Sequence, residues 1–228
     1  MPEKIHLWPE DAVQDNDSIT LAATLERPDG TRRRLWYRIP ATCRDAVTTS
    51  SDPFVLGFLF NVMRFSADLN IHGQVSPSLL RNLVEFQDAW VSWLPKKYTR
   101  VEMTADHGEE SSTAGTDETI MGFSGGVDST YSAWRHRLGS KGQLRRNLVT
   151  GAMVHGFDIP LVETEIFARA AERSRRMLAS LGMGLILVAT NFREISDTWE
   201  ESFGTGLAST LSILQGRYRF GLIASSYI

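Results

Sequence analysis

From Thr119 onward the sequence switches between two periods, and that alternation restricts the fold more than any other feature of the chain. Apolar runs at 119–123, 148–155, 185–190 and 220–225 have the length and residue types of strands. Helical patterns separate them. The helix expected over 128–138 sets Val127, Tyr131, Trp134 and Leu138 on one face and ends at Gly139. Residues 163–181 form a strong amphipathic helix with Ile166, Phe167, Ala170, Met177, Leu178 and Leu181 inward, stopped by Gly182, and residues 206–214 are helical. Strands that alternate with helices predict a parallel sheet. In such sheets ligands bind outside the carboxyl ends of the strands. The residues expected at those ends are the loop at Ser124, His155-Gly156-Phe157-Asp158, Thr190-Asn191 and Ser225-Ser226.

The first strand end carries the chemistry. Ile120-Met121-Gly122-Phe123-Ser124-Gly125-Gly126-Val127-Asp128-Ser129-Thr130 reads as an apolar strand, a small-residue turn and the first turn of a helix. Gly125 and Gly126 lack a Cβ, so the backbone turns sharply and its N–H groups approach an anion closely. Hydroxyls of Ser124, Ser129 and Thr130 add donors, and the helix that follows points its positive end at the same spot. The result is a phosphate cradle. No G-x-x-x-x-G-K-[ST] occurs and no lysine follows the glycines, so the cradle is not a Walker A loop. Asp128 brings the one carboxylate of the motif. It suits Mg²⁺, which takes one or two carboxylates beside phosphate oxygens and water, or it caps the helix, or both.

Ser124 to Ser129 spell SGGVDS, which resembles the SGGxDS loop of the N-type (PP-loop) ATP pyrophosphatase superfamily. That resemblance implies an adenine nucleotide alpha hydrolase-like, Rossmann-like sheet over 118–228. It implies ATP and Mg²⁺ as cofactors, with pyrophosphate held by Ser124, Gly125, Gly126, Val127, Ser129 and Thr130. Asp128 would be the metal ligand, with Asp128 and Ser124 the catalytic pair. Adenine would lie near Phe123 and His155-Gly156-Phe157; Asn191, at the third strand end, is a further candidate for cofactor binding. The implied reaction is adenylation of a carboxylate or carbonyl, after which a nitrogen nucleophile displaces AMP. Sulfur from an external donor, or a nucleotide-binding module without catalysis, are the alternatives. Residues 197–227, with Trp199, Gly204, Gly206-Leu207-Ala208-Ser209 and Ala224-Ser225-Ser226-Tyr227, look like a bacterial branch of the superfamily. In that branch an N-terminal α/β region precedes the loop. Phe203 stands here where the branch often has His.

Other residues carry weaker signals. His155 reads as a base, an adenine contact or a turn residue, and Asp158 as a second metal ligand or a turn residue. Arg193 is a phosphate contact or a surface ion pair. Gly204-Thr205-Gly206 half resembles a dinucleotide fingerprint but lacks its third glycine, so close helix packing is the reading. His72, His107 and His136 have no ligand spacing and read as surface residues, and Arg145-Arg146 as a solvated loop.

The first 103 residues follow another pattern and are expected to form an α+β domain. Residues 18–26 and 33–39 make a hairpin about Pro28-Asp29-Gly30. Asp52-Pro53 opens a helix over 54–65 that is apolar nearly all round, with Asp52 as its cap. A short strand at 69–73 follows, then a helix from Ser76-Pro77 carrying Leu79, Leu80, Leu83, Val84, Phe86, Trp90, Val91 and Leu94 at helical spacing. Trp90 and Trp93 read as core packing, and Arg32, Arg33 and Arg34 as a solvated strand end. A strand returns at 98–103. Residues 104–117 hold no large apolar side chain and read as a flexible linker between this domain and 118–228.

The single cysteine, Cys43, excludes an internal disulfide and a Cys-cluster zinc site. It also removes the paired-cysteine route of relatives that thiolate tRNA, and no glutaminase signature stands in 1–103. No signal-peptide pattern opens the sequence, so cytoplasm is the expected location. A net charge of −3 argues against broad nucleic-acid binding. Expected partners are a small carboxylate or carbonyl substrate and a separate ammonia or sulfur donor, with no membrane. A parallel strand at 220–225 left uncovered would expose a face and an edge. The remaining sheet is therefore expected from further chain, from another polypeptide or from the mate in a homodimer.

Overall fold

The computed structural model describes residues 4–110, 116–139 and 145–224. Strand β1 (Lys4–Pro9) and the short β2 (Val13–Gln14) lead into the hairpin of β3 (Ser18–Glu26) and β4 (Arg32–Pro40). Its turn forms as its residues dictate. Gly30 takes φ +81°, and the Asp29 carboxylate accepts the Thr31 N–H at 2.8 Å. Helix α1 (Asp52–Phe65) has Pro53 in its first turn and is buried nearly all round. The cap position belongs to Ser51 rather than Asp52. The Asp52 carboxylate is occupied instead by Ser76, whose N–H it accepts at 2.8 Å, joining the start of α1 to the start of α2 (Pro77–Trp93) across β5 (Asp68–Val75).

The linker expected over 104–117 is corrected at its start, and so is the strand expected over 98–103. Strand β6 is Met103–Gly108 and pairs in parallel with β5. An edge strand needs few apolar contacts: Met103 and Ala105 pack against the core while Thr104 and Asp106 face outward. Tyr98 precedes β6 and is buried against Phe60 and Trp90. Trp90 thus packs in the core, while Trp93 is 68% exposed.

The second half alternates as its sequence predicts: β7 (Glu118–Gly122), α3 (Val127–Arg137), β8 (Asn147–His155), α4 (Thr164–Ser180) and β9 (Gly184–Thr190). The short α5 (Phe192–Ile195), then α6 (Trp199–Ser212) and β10 (Phe220–Leu222), complete the described chain. Helix α6 begins well before the expected residue 206. Ser225 and Ser226 lie outside the described residues. Strands β10, β7, β8 and β9 are mutually parallel. The architecture is α/β, built on a mixed sheet.

The units expected at 1–103 and 118–228 share that sheet and one core. Among the described residues ten strands join in the order β10-β7-β8-β9-β4-β3-β1-β5-β6, with β2 beside β3. The joint is antiparallel, Tyr37 facing Thr190 and Arg38 facing Ala189. Asn191 locks it: its amide donates to the Arg34 carbonyl at 2.8 Å and its oxygen accepts the Trp36 N–H at 3.0 Å. Arg33 reaches the Ile195 carbonyl and Asp197, while Arg32 and Arg34 pair with Glu26 and Glu10. The arginine run is therefore paired along its length. One core cluster takes in Leu35, Phe58 and Val62 from the first half and Ile120, Val188 and Leu214 from the second.

Helices α1 and α6 pack together over one face of the sheet. Gly57 lets them meet, since a Cβ there would lie 3.1 Å from the Ser209 hydroxyl and 2.4 Å from Leu35. Helices α3 and α4 cover the opposite face of the parallel strands, with Met121, Ala133, Leu148 and Leu178 between them. A shared core predicts a single cooperative urea transition followed by both fluorescence and circular dichroism. Asn191→Ala should lower stability by about 1 kcal/mol by removing one part-buried and one exposed hydrogen bond at the joint. Two separated transitions would contradict the shared core.

Candidate functional site

The site begins where β7 runs out. Gly122 faces Ala152 in the β7–β8 ladder, and the Phe123 N–H still donates to the Ala152 carbonyl at 2.8 Å. Beyond that bond the chain turns. Gly125 adopts φ +76°, a conformation that costs an L-residue roughly 1–2 kcal/mol. The loop rests on α4, because a Cβ on Gly125 would lie 3.0 Å from the buried Ser174 hydroxyl. Gly126 is the N-cap of α3 and is extended (φ −77°, ψ 175°). The first turn of α3 therefore presents the N–H groups of residues 127–129, which have no acceptor within the helix.

Side chains of the loop are tied to each other. The Ser124 and Ser129 hydroxyls stand 3.3 Å apart, Ser129 donates to the Gly126 carbonyl at 3.1 Å, and the Gly126 N–H donates to Ser124 at 3.3 Å. Asp128 is exposed in the first helical turn.

A cavity of about 290 Å³ opens against this loop. That is near the lower end of small-ligand sites, roughly 300–1,000 Å³. Of the residues expected at the site, Phe123, Ser124, Gly126, Val127, Asp128, Ser129 and Phe157 line it. Asp158 lines it as well, giving the cavity a second carboxylate. Gly125 and Thr130 belong to the loop but not to the lining.

His155, Gly156 and Asn191 also stand outside the lining and have structural partners. His155 is buried, stacks on Phe167 at 4.3 Å and contacts the Pro160 carbonyl through Nε2 at 2.9 Å. Gly156 takes φ +101°, and a Cβ there would fall 1.9 Å from the Thr190 carbonyl oxygen. Asn191 is spent on the joint to β4. Arg193 donates to the Phe157 carbonyl at 2.7 Å and lies over Trp199 at 5.0 Å, so it braces the cavity wall.

That wall contains residues that the sequence reading did not assign to the site. Trp199, Phe203 and Leu207 recur at four-residue intervals along α6 and face the cavity together, opposite Met153, Val154 and Ile159. Their spacing was a readable signal, missed because the helix was expected to begin at 206. Phe157 meets Trp199 edge-on at 5.0 Å and Phe192 at 5.8 Å, which fixes the aromatic corner. Gly206 allows Phe192 its place, since a Cβ would lie 2.7 Å from that ring. The Gly204-Thr205-Gly206 segment is thus part of a helix, with Gly206 at its close contact.

Helix α6 is held from the other half of the chain. Glu201 accepts from Lys97 at 2.6 Å and from the Tyr98 hydroxyl. Burial, with Glu201 adding to it, pushes the Tyr98 phenol up to about 12. Burial works against ionisation of Glu201, yet the Lys97 and Tyr98 hydrogen bonds outweigh it and hold the carboxyl below its usual range. Cys43 lies in the N-terminal half, where burial pushes its thiol up, away from thiolate chemistry at neutral pH.

Among the described residues no three His, Cys, Asp or Glu side chains gather as a metal centre. Asp128 and Asp158 both line the cavity and are carboxylates of the kind that could hold Mg²⁺. No family model matches the chain, and no curated protein and no solved structure matches it either.

Two of the left-handed glycines, Gly30 and Gly156, separate strain from collision. Gly30→Ala, with nothing within 4 Å of the new Cβ, should cost about 1 kcal/mol, whereas Gly156→Ala should cost roughly 2 kcal/mol or more. Chemical denaturation of both variants checks this, and equal losses would show that Thr190 yields to the added methyl.

Proposed function

We propose that this chain is an ATP-dependent, AMP- and pyrophosphate-forming ligase or transferase of the adenine nucleotide alpha hydrolase-like class. The observation that carries the reading is the convergence at the end of β7. The turned Gly125-Gly126 backbone, the open N–H groups of α3, the Ser124 and Ser129 hydroxyls and the Asp128 carboxylate meet at one cavity.

Each group has a task in cleavage between the α- and β-phosphates. The α3 amides and the two serine hydroxyls would bind the leaving pyrophosphate, and their preorganisation stabilises charge as it develops there. Asp128, with Asp158, would hold Mg²⁺ on the phosphate oxygens, where it offsets their charge. The apolar wall of Met153, Phe157, Trp199 and Phe203 would suit the face of a planar ring. A carboxylate or carbonyl oxygen of the acceptor attacks that phosphorus, the α–β bridging bond breaks and pyrophosphate departs. A nitrogen nucleophile then displaces AMP. The half-buried Cys43, remote in the chain and raised in pKa, favours nitrogen over a thiolate carried by this polypeptide.

Exchange of labelled pyrophosphate into ATP, with candidate acids or amides present, tests the reading. Wild-type protein should exchange in a Mg²⁺-dependent manner. Asp128→Asn should lose at least about 100-fold of that rate, the scale of removing a group that stabilises transition-state charge, with its circular dichroism unchanged. Turnover equal to wild type would remove Asp128 from the mechanism.

A further inference from the structure

Helix α3 is inverted relative to an ordinary surface helix. Its small residues, Ser129 and Ala133, pack on the sheet, while Val127, Tyr131, Trp134 and Leu138 are 84%, 57%, 47% and 63% exposed. These are the side chains that helical spacing puts on one face, so the apolar stripe of α3 points to solvent. Tyr131 and Trp134 stack on each other at 5.9 Å. Val162, just before α4, and Ile166 in its first turn are further exposed apolar side chains of this layer, at 86% and 44% exposure. Ile166 is thus turned away from the core for which it was expected. A contiguous exposed stripe of this kind marks a contact surface.

Charge on the same layer is polarised along the helices. Both α3 and α4 follow parallel strands, and Ala133 of α3 shares a core cluster with Leu178 of α4, so they lie side by side and point the same way. Acidic residues Asp128, Glu163 and Glu165 sit at their N-terminal ends, Glu165 pairing with Arg169 at 3.8 Å, while the C-terminal half of α4 carries the exposed Arg173, Arg175 and Arg176, the last two paired with Glu172. Arg135 stands in the last turn of α3, and Arg145 and Arg146 lie beyond it. The imidazole of His136 is held below its usual range by burial, then by those three guanidinium groups. Arg145 is fixed by the His136 and Arg137 carbonyls at 2.9 Å, so this positive charge is built into the helix end.

We infer that the outer face of the α3–α4 layer docks a second copy of this chain about a twofold axis perpendicular to the two helices. An isologous contact must be complementary to itself. Antiparallel apposition satisfies that requirement here. The Tyr131–Trp134 stripe meets its counterpart, and the acidic start of each layer faces the basic end of the other. Helix dipoles are then opposed as well. A parallel apposition would set the arginines against arginines. Val127 lies both on the stripe and at the cavity rim, so the second copy sits beside the mouth of the site.

Sedimentation equilibrium on the full chain tests the docking and does not depend on nucleotide chemistry. The wild type should dimerise at about 100 μM or below and dissociate as salt rises. Trp134→Glu should be monomeric with unchanged circular dichroism. Arg173→Glu and Glu163→Arg should each weaken the dimer about tenfold, because the stated axis lays α4 on α4 of the second copy, and the two together should restore most of the loss, since reversed charges again face each other. If Trp134→Glu fails to fold, the charge-swap pair still decides. A wild-type monomer, a dimer indifferent to Trp134→Glu, or a charge-swap pair no tighter than either single variant would overturn the inference.

Discussion

The ladder that carries β7, β8 and β9 in parallel register is the constraint on which the rest depends. It brings the ends of three strands to one edge, and it continues without a break into β4 through the antiparallel joint at Tyr37 and Thr190. Had the parallel strands stood alone, the Asn191 end of β9 would be open. Paired with β4, that end is closed, and the open positions are left at the ends of β7 and β8. The cavity forms there, between the loop at Ser124 and the aromatic corner of Phe157 and Trp199.

The same continuity explains why the N-terminal half matters to the site without lining it. Helix α6 supplies one cavity wall, and its outer side is fastened to the first half by the Ser209 hydroxyl on the Pro53 carbonyl and by Glu201 on Lys97 and Tyr98. Helix α1, apolar nearly all round, fills the space between α6, α2 and the sheet. The first half therefore acts as a rigid backing for Trp199, Phe203 and Leu207. Our functional proposal uses this division: phosphate chemistry on the β7 loop, and ring recognition on a wall whose position is set from the other half.

Much of the second half was legible because its signals are local. The strand–loop–helix at 118–137, the amphipathic helix over 164–180 and the hairpin about Pro28-Asp29-Gly30 each follow from residue period and turn chemistry. What failed to show was relational. The sharing of one sheet by both halves rests on the pairing of β4 with β9, distant in sequence and carrying no pattern that names its partner. Strand β6 was hidden because Thr104, Ala105 and Asp106 look like linker residues until β5 lies beside them. His155 and Asn191 were placed correctly at strand ends. Sequence does not tell that the ring of His155 turns onto Phe167 or that the amide of Asn191 bridges to β4. The apolar stripe of α3 was visible as a stripe, but period alone does not say that Ser129 and Ala133 are the face that packs.

The central claim is that the loop at Ser124–Ser129 recognises the pyrophosphate of a nucleotide. Calorimetric titration with ATP, AMP and inorganic pyrophosphate in the presence of Mg²⁺ addresses it most directly. The account predicts that ATP binds at least about tenfold more tightly than AMP, a difference of roughly 1.4 kcal/mol, and that pyrophosphate competes with ATP for one site. AMP binding as tightly as ATP, pyrophosphate failing to compete, or no nucleotide binding at all would contradict it.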